Sequence, residues 1–208
     1  MSVTERTILD LCCGGGGASV GYFLADFKVT GIDIEPQPDY PFEFIRADVL
    51  TLPYDFLMSF DAIHASVPCE GYCTANHKAR LHPELYPDLY HPVKAMLIAS
   101  GKPWVMENVI GSPVKGFRLC GTSFGLGVFR HRVFETNFHV AKVPACGCSD
   151  LRIDGDVYMT VAGNHKNMRQ AWKALGTPWI TDPNVVKKAI PPAYTQWIGG
   201  QMRSAGVV

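Results

Sequence analysis

Short apolar runs alternate with glycine, proline and acidic residues through the first half of the chain, and the alternation predicts its elements. Residues 7–11 read as a strand that breaks at Gly14-Gly15-Gly16-Gly17, after which 18–25 read as a helix carrying Val20, Phe23 and Leu24 on one face. Residues 29–34 read as a second strand ending at Glu35-Pro36, 44–49 as a third element ending near Asp48, and 60–67 as a fourth strand. A helix over 91–100 and a fifth strand over 104–109 follow. Strands alternating with helices predict an α/β fold: a mostly parallel sheet with helices on both faces. Ligands of such sheets bind beyond the carboxyl ends of the strands, so the glycine turn, Asp33, Asp48, Cys69 and Glu107 are expected on one rim.

The pattern loosens afterwards. Residues 124–138 carry Arg130-His131-Arg132 inside an apolar stretch and suggest a strand pair, while 143–156 form a turn-rich segment too short to be a domain. A helix is expected over 164–175 and a connection over 178–186, and Pro191-Pro192 open a last helix over 193–198. With no internal repeat or low-complexity tract, the expectation is a single domain over 1–208.

Composition narrows the function classes. The 208 residues are 47% hydrophobic, ordinary for a globular fold. Nineteen basic residues balance nineteen acidic ones for a formal net charge of +0, so polyanion binding would need a local patch rather than a global field. The N-terminal stretch lacks a basic-then-apolar signal pattern and no apolar run is long enough to span a bilayer, so a cytoplasmic location without a membrane partner is expected. Seven cysteines, an odd number with Cys12 and Cys13 adjacent, argue for reduced thiols rather than a secreted disulfide framework.

Three groups of residues carry candidate chemistry. The turn Asp10-Leu11-Cys12-Cys13-Gly14-Gly15-Gly16-Gly17 lets backbone approach a ligand closely, but it lacks the Gly-Lys-Ser/Thr of a P-loop and only trivially matches the dinucleotide fingerprint. Asp33 or Glu35 can accept ribose hydroxyls and Asp48 an adenine amine, which suits a nucleoside carrying a sulfonium. Pro68-Cys69 and Glu107-Asn108-Val109, at the ends of two consecutive strands, place a thiol nucleophile near an acid. Cys69, Cys73, His77 and His82 are loosely spaced like zinc ligands, yet Cys69 follows directly from an apolar strand. Cys146 and Cys148 with His139 or His131 form a second possible set; packing or surface thiols are the preferred reading, and no metal is assigned. Cys12, Cys13 and Cys120 read as small core residues.

In that order the motifs resemble those of the DNA (cytosine-5) methyltransferase family along nearly the whole chain. The family's Asp-Leu-Phe-Ala-Gly-x-Gly-Gly is similar to the run from Asp10 to Gly17, Pro-Cys-Gln-x-x-Ser to Pro68-Cys69-Glu70-Gly71-Tyr72-Cys73, and Glu-Asn-Val is intact at Glu107 to Val109. Gln-x-Arg-x-Arg resembles Val128 to Arg132 with both arginines kept, and Gly-Asn-Ala-Val-Pro-Pro resembles Lys187 to Pro192 with both prolines kept. The resemblance implies a Rossmann-like fold binding S-adenosylmethionine through Asp10, Cys12, Gly14, Gly15, Gly16, Asp33, Ile34, Asp48, Val49 and Pro68. It also implies catalysis by Cys69 and Glu107 with Pro68, Asn108, Arg130 and Arg132. Cys69 would add to cytosine C6, Glu107 would act at N3, and Arg130 and Arg132 would hold the base carbonyl or a flanking phosphate, with Arg132 preferred for the ring. Water is the candidate base for the C5 proton, and a duplex substrate would require base flipping.

Family members that read a sequence carry a large recognition region between the arginine motif and the last motif. Here that interval holds only a short variable insertion, residues 137–165, as in the compact phage-borne methylases that the chain also resembles. Low specificity, a recognition partner protein, or a softer substrate such as single-stranded DNA, RNA or a free nucleotide would each account for this, as would a catalytically silent cofactor-binding subunit. Lys166, Arg169, Lys173, Lys187 and Lys188 offer a local basic patch. The implied setting is a bacterial or phage-infected cell.

Overall fold

A computed structural model describes residues 5–72, 78, 81–148, 159–161 and 167–208. Strands β1 (Arg6–Leu11), β2 (Phe27–Asp33), β3 (Glu43–Arg46), β4 (Ala62–Ala65), β5 (Trp104–Asn108), β6 (Phe117–Leu119) and β7 (Arg132–Thr136) form one sheet in the order β3-β2-β1-β4-β5-β7-β6. The first five are parallel, whereas β7 runs antiparallel to both β5 and β6. The chain leaves β1 toward β2 on one side and returns to β4 on the other, which opens a crevice at their carboxyl ends.

Helices cover both faces. Leu9, Leu11, Ile63, Ala65 and Met106 pack on one face with Leu57 of α2 (Tyr54–Met58) and with Val93 and Leu97 of α3 (Tyr90–Ser100). The intervening strand residues Ile8, Ala62 and Val105 face Tyr22 of α1 (Gly17–Leu24) and Tyr194, Ile198 and Met202 of α6 (Pro192–Ser204). A third cluster joins Val128 and Val161 to Ala171 and Leu175 of α4 (Met168–Leu175) and Val186 of α5 (Pro183–Val186). Among the described residues no helix is long and apolar enough to cross a membrane.

Several elements differ from the sequence expectation: the connection expected over 178–186 ends in α5, where Asp182 caps the turn by accepting from the Asn184 N–H, and α2 fills a stretch with no expected element. Phe23 and Leu24 are 55% and 51% exposed, because α1 buries Gly17, Ala18, Ser19, Gly21 and Tyr22 instead. A Cβ at Gly21 would lie 2.0 Å from Thr195 Oγ1 and 2.1 Å from the Pro192 carbonyl oxygen, so close backbone approach to α6 outweighs the larger apolar side chains. The last helix runs to Ser204 straight through Gly199-Gly200, since Gly199 packs against Ala25, Phe27 and Tyr22 and tertiary contact overrides its weak helix propensity. The strand pair expected within 124–138 is β7 with β6, whose residues 117–119 precede that stretch; Phe124 instead closes a 3₁₀ turn, Gly121–Phe124. Of the helix expected over 164–175, residues 164–166 lie outside the described residues.

Close packing at Gly21 and open space at Gly200 give opposite expectations for one methyl group. Gly21→Ala should destabilise the fold by about 3 kcal/mol, whereas Gly200→Ala, with nothing within 4 Å of the new Cβ, should stabilise it by about 0.5–1 kcal/mol. Urea unfolding of the two variants beside the parent checks both signs.

Candidate functional site

Parallel register brings the ends of four strands into one row. Leu11 pairs with Ile32 and with Ala65, and Ala65 pairs with Met106, so the next residues along are Cys12, Asp33, Ser66 and Glu107. All four line a cavity of about 590 Å³, a volume suited to a small organic ligand. Of the residues singled out in the sequence, Gly14, Gly15, Ile34, Asp48, Val49, Pro68, Cys69 and Arg132 also line it. Asp10, Gly16, Asn108 and Arg130 do not.

Each of those four acts from behind the wall. Asp10 points under α1, fully buried, and accepts a hydrogen bond from the Ser19 hydroxyl while its other oxygen has no partner. Burial pushes its carboxyl up to about 7. Gly16 takes a left-handed conformation, φ 80°, at the start of α1, and a Cβ there would meet Pro41 at 2.9 Å. Asn108 donates from Nδ2 to the Val67 carbonyl at 3.0 Å and accepts from the Val109 N–H at 2.8 Å, tying the end of β5 to the segment that presents Cys69. Arg130 is buried and donates to three backbone carbonyls, Val161 at 2.9 Å, Lys187 at 2.7 Å and Ala189 at 2.9 Å. With its guanidinium turned to backbone, Arg130 holds the chain around the cavity rather than facing it, unlike the substrate contact expected from the sequence.

The glycine turn is shaped by its neighbours. The Gly14 N–H donates to Asp33 Oδ2 at 3.0 Å and the Glu35 N–H to Asp33 Oδ1 at 3.0 Å, so this carboxylate fixes the backbone on both sides of the crevice. Trp179 Nε1 donates to the Gly15 carbonyl at 2.8 Å, and Ile180 and Val185 leave no room for a side chain on Gly15. The space around Gly14 is open, with nothing within 4 Å of the point where a Cβ would stand. Ile34 on the cavity wall is 58% exposed, an apolar platform beside Asp48, which caps the following turn by accepting from the Leu50 N–H at 2.9 Å.

Glu107 is the electrostatic centre of the opposite wall. Arg132 Nε lies 2.9 Å from Glu107 Oε1, yet its N–H is not aimed along that line, and Oε1 is buried without a directed hydrogen bond. Burial pushes the carboxyl above the ordinary glutamate range; Arg132, then Arg130, and a hydrogen bond from Ser66 pull it back without cancelling the shift. Behind Ser66 stands His64, buried and held neutral with its pKa near 3, whose Nε2 meets Ser66 Oγ at 2.8 Å and whose Nδ1 meets the Tyr22 hydroxyl at 2.9 Å. Cys69 is half-buried at the head of a turn in which the Tyr72 N–H donates to its carbonyl at 3.0 Å.

Two contacts across the crevice were not legible in the sequence. Asp39 Oδ2 accepts from the Thr181 N–H at 2.6 Å and from its hydroxyl at 2.7 Å, and Lys188 pairs with Glu70. Both join segments far apart in the chain, and no local spacing announces them. Trp172 donates to the Ile180 carbonyl at 2.7 Å, and it and Trp179 pack against the third core cluster. The zinc spacing considered around Cys69 includes Cys73 and His77, which lie outside the described residues; His82 contacts Glu84.

No protein-family model matches the chain, and no curated protein matches it. Solved structures do. The S. pombe Dnmt2 methyltransferase matches with a TM-score of 0.61 over 96% of this chain and 99% of that one, at 13% identity. The fold is that of a Rossmann-like methyltransferase. The Entamoeba histolytica methyltransferase EhMeth agrees, with a TM-score of 0.60 over 97% of this chain and 99% of that one at 11% identity. A prophage-encoded E. coli protein assigned as a DNA modification methyltransferase matches 62% of this chain at 18% identity and a TM-score of 0.44; this chain spans 45% of its length.

In this methyltransferase fold two buried groups behind the wall give measurable expectations. Asp10 titrates near 7 when folded, against an ordinary value of 3.8, so the folded chain holds the extra proton and stability falls as pH rises from about 4 through 7. Asp10→Asn should therefore stabilise the protein at pH 8, by at most about 4 kcal/mol, with the gain vanishing at pH 4; thermal unfolding at the two pH values reads it. Arg130→Lys offers one ammonium to three carbonyls and should lower stability by about 2–3 kcal/mol in denaturant titration.

Proposed function

We propose that this chain transfers a methyl group from S-adenosylmethionine to C5 of cytosine in DNA through a covalent Cys69 adduct. The observation that carries the reading is the sharing of one cavity wall by a half-buried cysteine, a buried carboxyl and its arginine, opposite an open glycine turn flanked by acids. The residues fit the cofactor. Open space at Gly14 admits a ligand against bare backbone, Ile34 offers an apolar face for an adenine ring, and Asp48 accepts from its amine. Asp33 spends its oxygens on the Gly14 and Glu35 N–H groups, so the exposed Glu35 beside it is the better placed acceptor for ribose hydroxyls.

When bound, S-adenosylmethionine supplies an electrophilic methyl group on a sulfonium, which leaves as a neutral thioether. The Cys69 thiolate forms a bond to cytosine C6, and the C5=C6 electron pair is driven toward C5. Glu107, whose burial favours the protonated carboxyl, donates to N3 and makes the ring accept that addition. Arg132 faces the cavity beside Glu107 and holds the base carbonyl, while Arg130 and Asn108 position the backbone behind. After methylation, loss of the C5 proton to water breaks the C6–S bond, returns the thiolate and restores the C5=C6 double bond, while the N3 proton goes back to Glu107.

Binding of the polynucleotide rests on local charge. Arg169 and Lys173 are exposed one turn apart on α4 and supply it, whereas Lys188 at the cavity is already paired with Glu70. Residues 137–165 are too short for an independent recognition domain, which favours single-stranded DNA or a partner protein that supplies sequence recognition.

Labelled cofactor offered with duplex DNA, single-stranded DNA, RNA and dCMP, alongside Cys69→Ala and Glu107→Gln, tests the proposal. Methylated cytosine should form on DNA, fall below about one-thousandth of the parent rate in Cys69→Ala, and fall by a factor of about 10²–10⁴ in Glu107→Gln. DNA containing 5-fluorocytosine should trap the parent covalently and leave Cys69→Ala uncoupled. Cofactor binding with no labelled product and no trapped adduct would overturn the reading.

A further inference from the structure

Away from the cavity, four soft or borderline ligands converge. Cys120 follows β6 directly, His131 precedes β7 directly, and Cys146 and Cys148 sit on one turn of the segment beyond the hairpin. Their Sγ and Nε2 atoms all lie within 4.8 Å of one another. His131 Nε2 is 3.4 Å from Cys146 Sγ and 3.6 Å from Cys148 Sγ, and Cys120 Sγ is 3.1 Å from Cys148 Sγ.

Those separations discriminate between three possibilities. A disulfide needs sulfurs about 2.05 Å apart, which no pair meets. Packing thiols in a core would be surrounded by apolar side chains, but here each sulfur faces other sulfurs, an imidazole nitrogen or a hydroxyl. Tetrahedral zinc, with bonds of about 2.3 Å to sulfur and about 2.0–2.1 Å to nitrogen, sets edges of about 3.8 Å between sulfurs and about 3.5 Å between sulfur and nitrogen. Two of the three histidine edges fit that figure directly, the Cys120–Cys148 edge must open by about 0.7 Å, and the remaining edges, all within 4.8 Å, need at most about 1 Å of closure. We propose that Cys120, His131, Cys146 and Cys148 together hold one structural zinc ion.

The surroundings suit the ion. Three thiolates and an imidazole favour zinc over harder divalent ions, and no carboxylate belongs to the group. Thr122 supplies an outer layer: its hydroxyl lies 3.3 Å from Cys120 Sγ, 3.5 Å from Cys148 Sγ and 3.9 Å from Cys146 Sγ, and it accepts from the Gly147 N–H at 3.2 Å. Gly147 between the two cysteines has open space around it, so the turn can present both sulfurs to one point. Cys120 is fully buried and the other three ligands are half-buried, which closes the site to a substrate and marks it as structural. Four ligands from three segments would clip the segment beyond β7 onto the hairpin. The clip meets that hairpin between Arg130 and Arg132, so the ion would brace the start of β7 and the residues leading into it.

Protein purified under reducing conditions without chelator should contain one zinc ion per chain by elemental analysis. Cobalt substitution should give thiolate charge-transfer absorption with the intense ligand-field bands of a tetrahedral site. Both signals should be lost in Cys146→Ser/Cys148→Ser and kept in Cys69→Ser. On the unaltered chain, alkylation of Cys146 and Cys148 should be at least tenfold slower with metal bound than after chelation, a readout that does not depend on the variant folding. Reduced protein that takes up neither zinc nor cobalt, unchanged alkylation on chelation, or a Cys120–Cys148 disulfide recovered by anaerobic peptide mapping would each overturn the proposal.

Discussion

Four parallel strands reach their carboxyl ends in the same row, and the rest of the molecule is arranged around what that row exposes. Leu11, Ile32, Ala65 and Met106 pair across that row and belong to one packed core face. Beyond it β1 and β4 leave the sheet, and the backbone groups released there need partners, while β2 and β5 run on through Asp33 and Asn108. Asp33 supplies them at the glycine turn, and Asn108 supplies them between β4 and β5. The polar residues at the row therefore do two jobs that share one cause. They satisfy strand ends, and by doing so they hold a concave surface open to a ligand.

Charge at that surface is arranged in layers of decreasing solvent access. Glu35 and Asp48 are exposed, Asp33 is half-buried, and Asp10 and Glu107 are buried. A carboxylate inside a protein is costly unless it is paired, and each of the two buried acids answers this differently. Asp10 takes one bond from Ser19 and otherwise shifts toward its neutral form. Glu107 has Arg132 beside it, but the poor aim of the guanidinium leaves an oxygen available and the carboxyl still biased toward holding a proton. An acid maintained in that condition at the wall of a cavity is a source of instability in the folded chain and, in the proposed reaction, the donor to the bound ring.

The strands, and with them the rim, were legible because a buried parallel strand needs an uninterrupted apolar run and ends where that run ends. Cys69 and Glu107 could be placed on one edge from sequence for that reason alone. Side-chain direction was not legible. Asp10 sits inside the same motif as Cys12 and Gly14, yet strand alternation turns it beneath α1, and Arg130 is two residues from Arg132 but is drawn away by three carbonyls from distant segments. Helix α1 shows the same limit from the apolar side, where Gly21 rather than Phe23 meets the neighbouring helix. Cys120 gave no signal either: it becomes a neighbour of Cys146 and Cys148 only once the hairpin has folded. Periodicity carries information about where a residue's own element lies, whereas these outcomes depend on which other element arrives beside it.

The same dependence links two of the departures from the cytosine-5 methyltransferase pattern that the chain resembles. Glu70 stands where that pattern has glutamine, and Lys188 stands where it has asparagine; taken singly, each puts a charge beside Cys69 where the pattern has a neutral amide. In the folded chain they face each other, and the Lys188 ammonium donates to Glu70. Burial would raise the Glu70 carboxyl, but the bond and charge of Lys188 outweigh it and hold the group below its ordinary range. With side chains 63% and 30% exposed, the pair is worth at most about 1 kcal/mol after solvent screening, so it is a weak link in energetic terms. Its consequence is geometric: it joins the turn that presents Cys69 to the segment before α6, and it brings no net charge to the mouth of the cavity. Two substitutions that look disruptive in a linear motif are thus one compensated change in the fold.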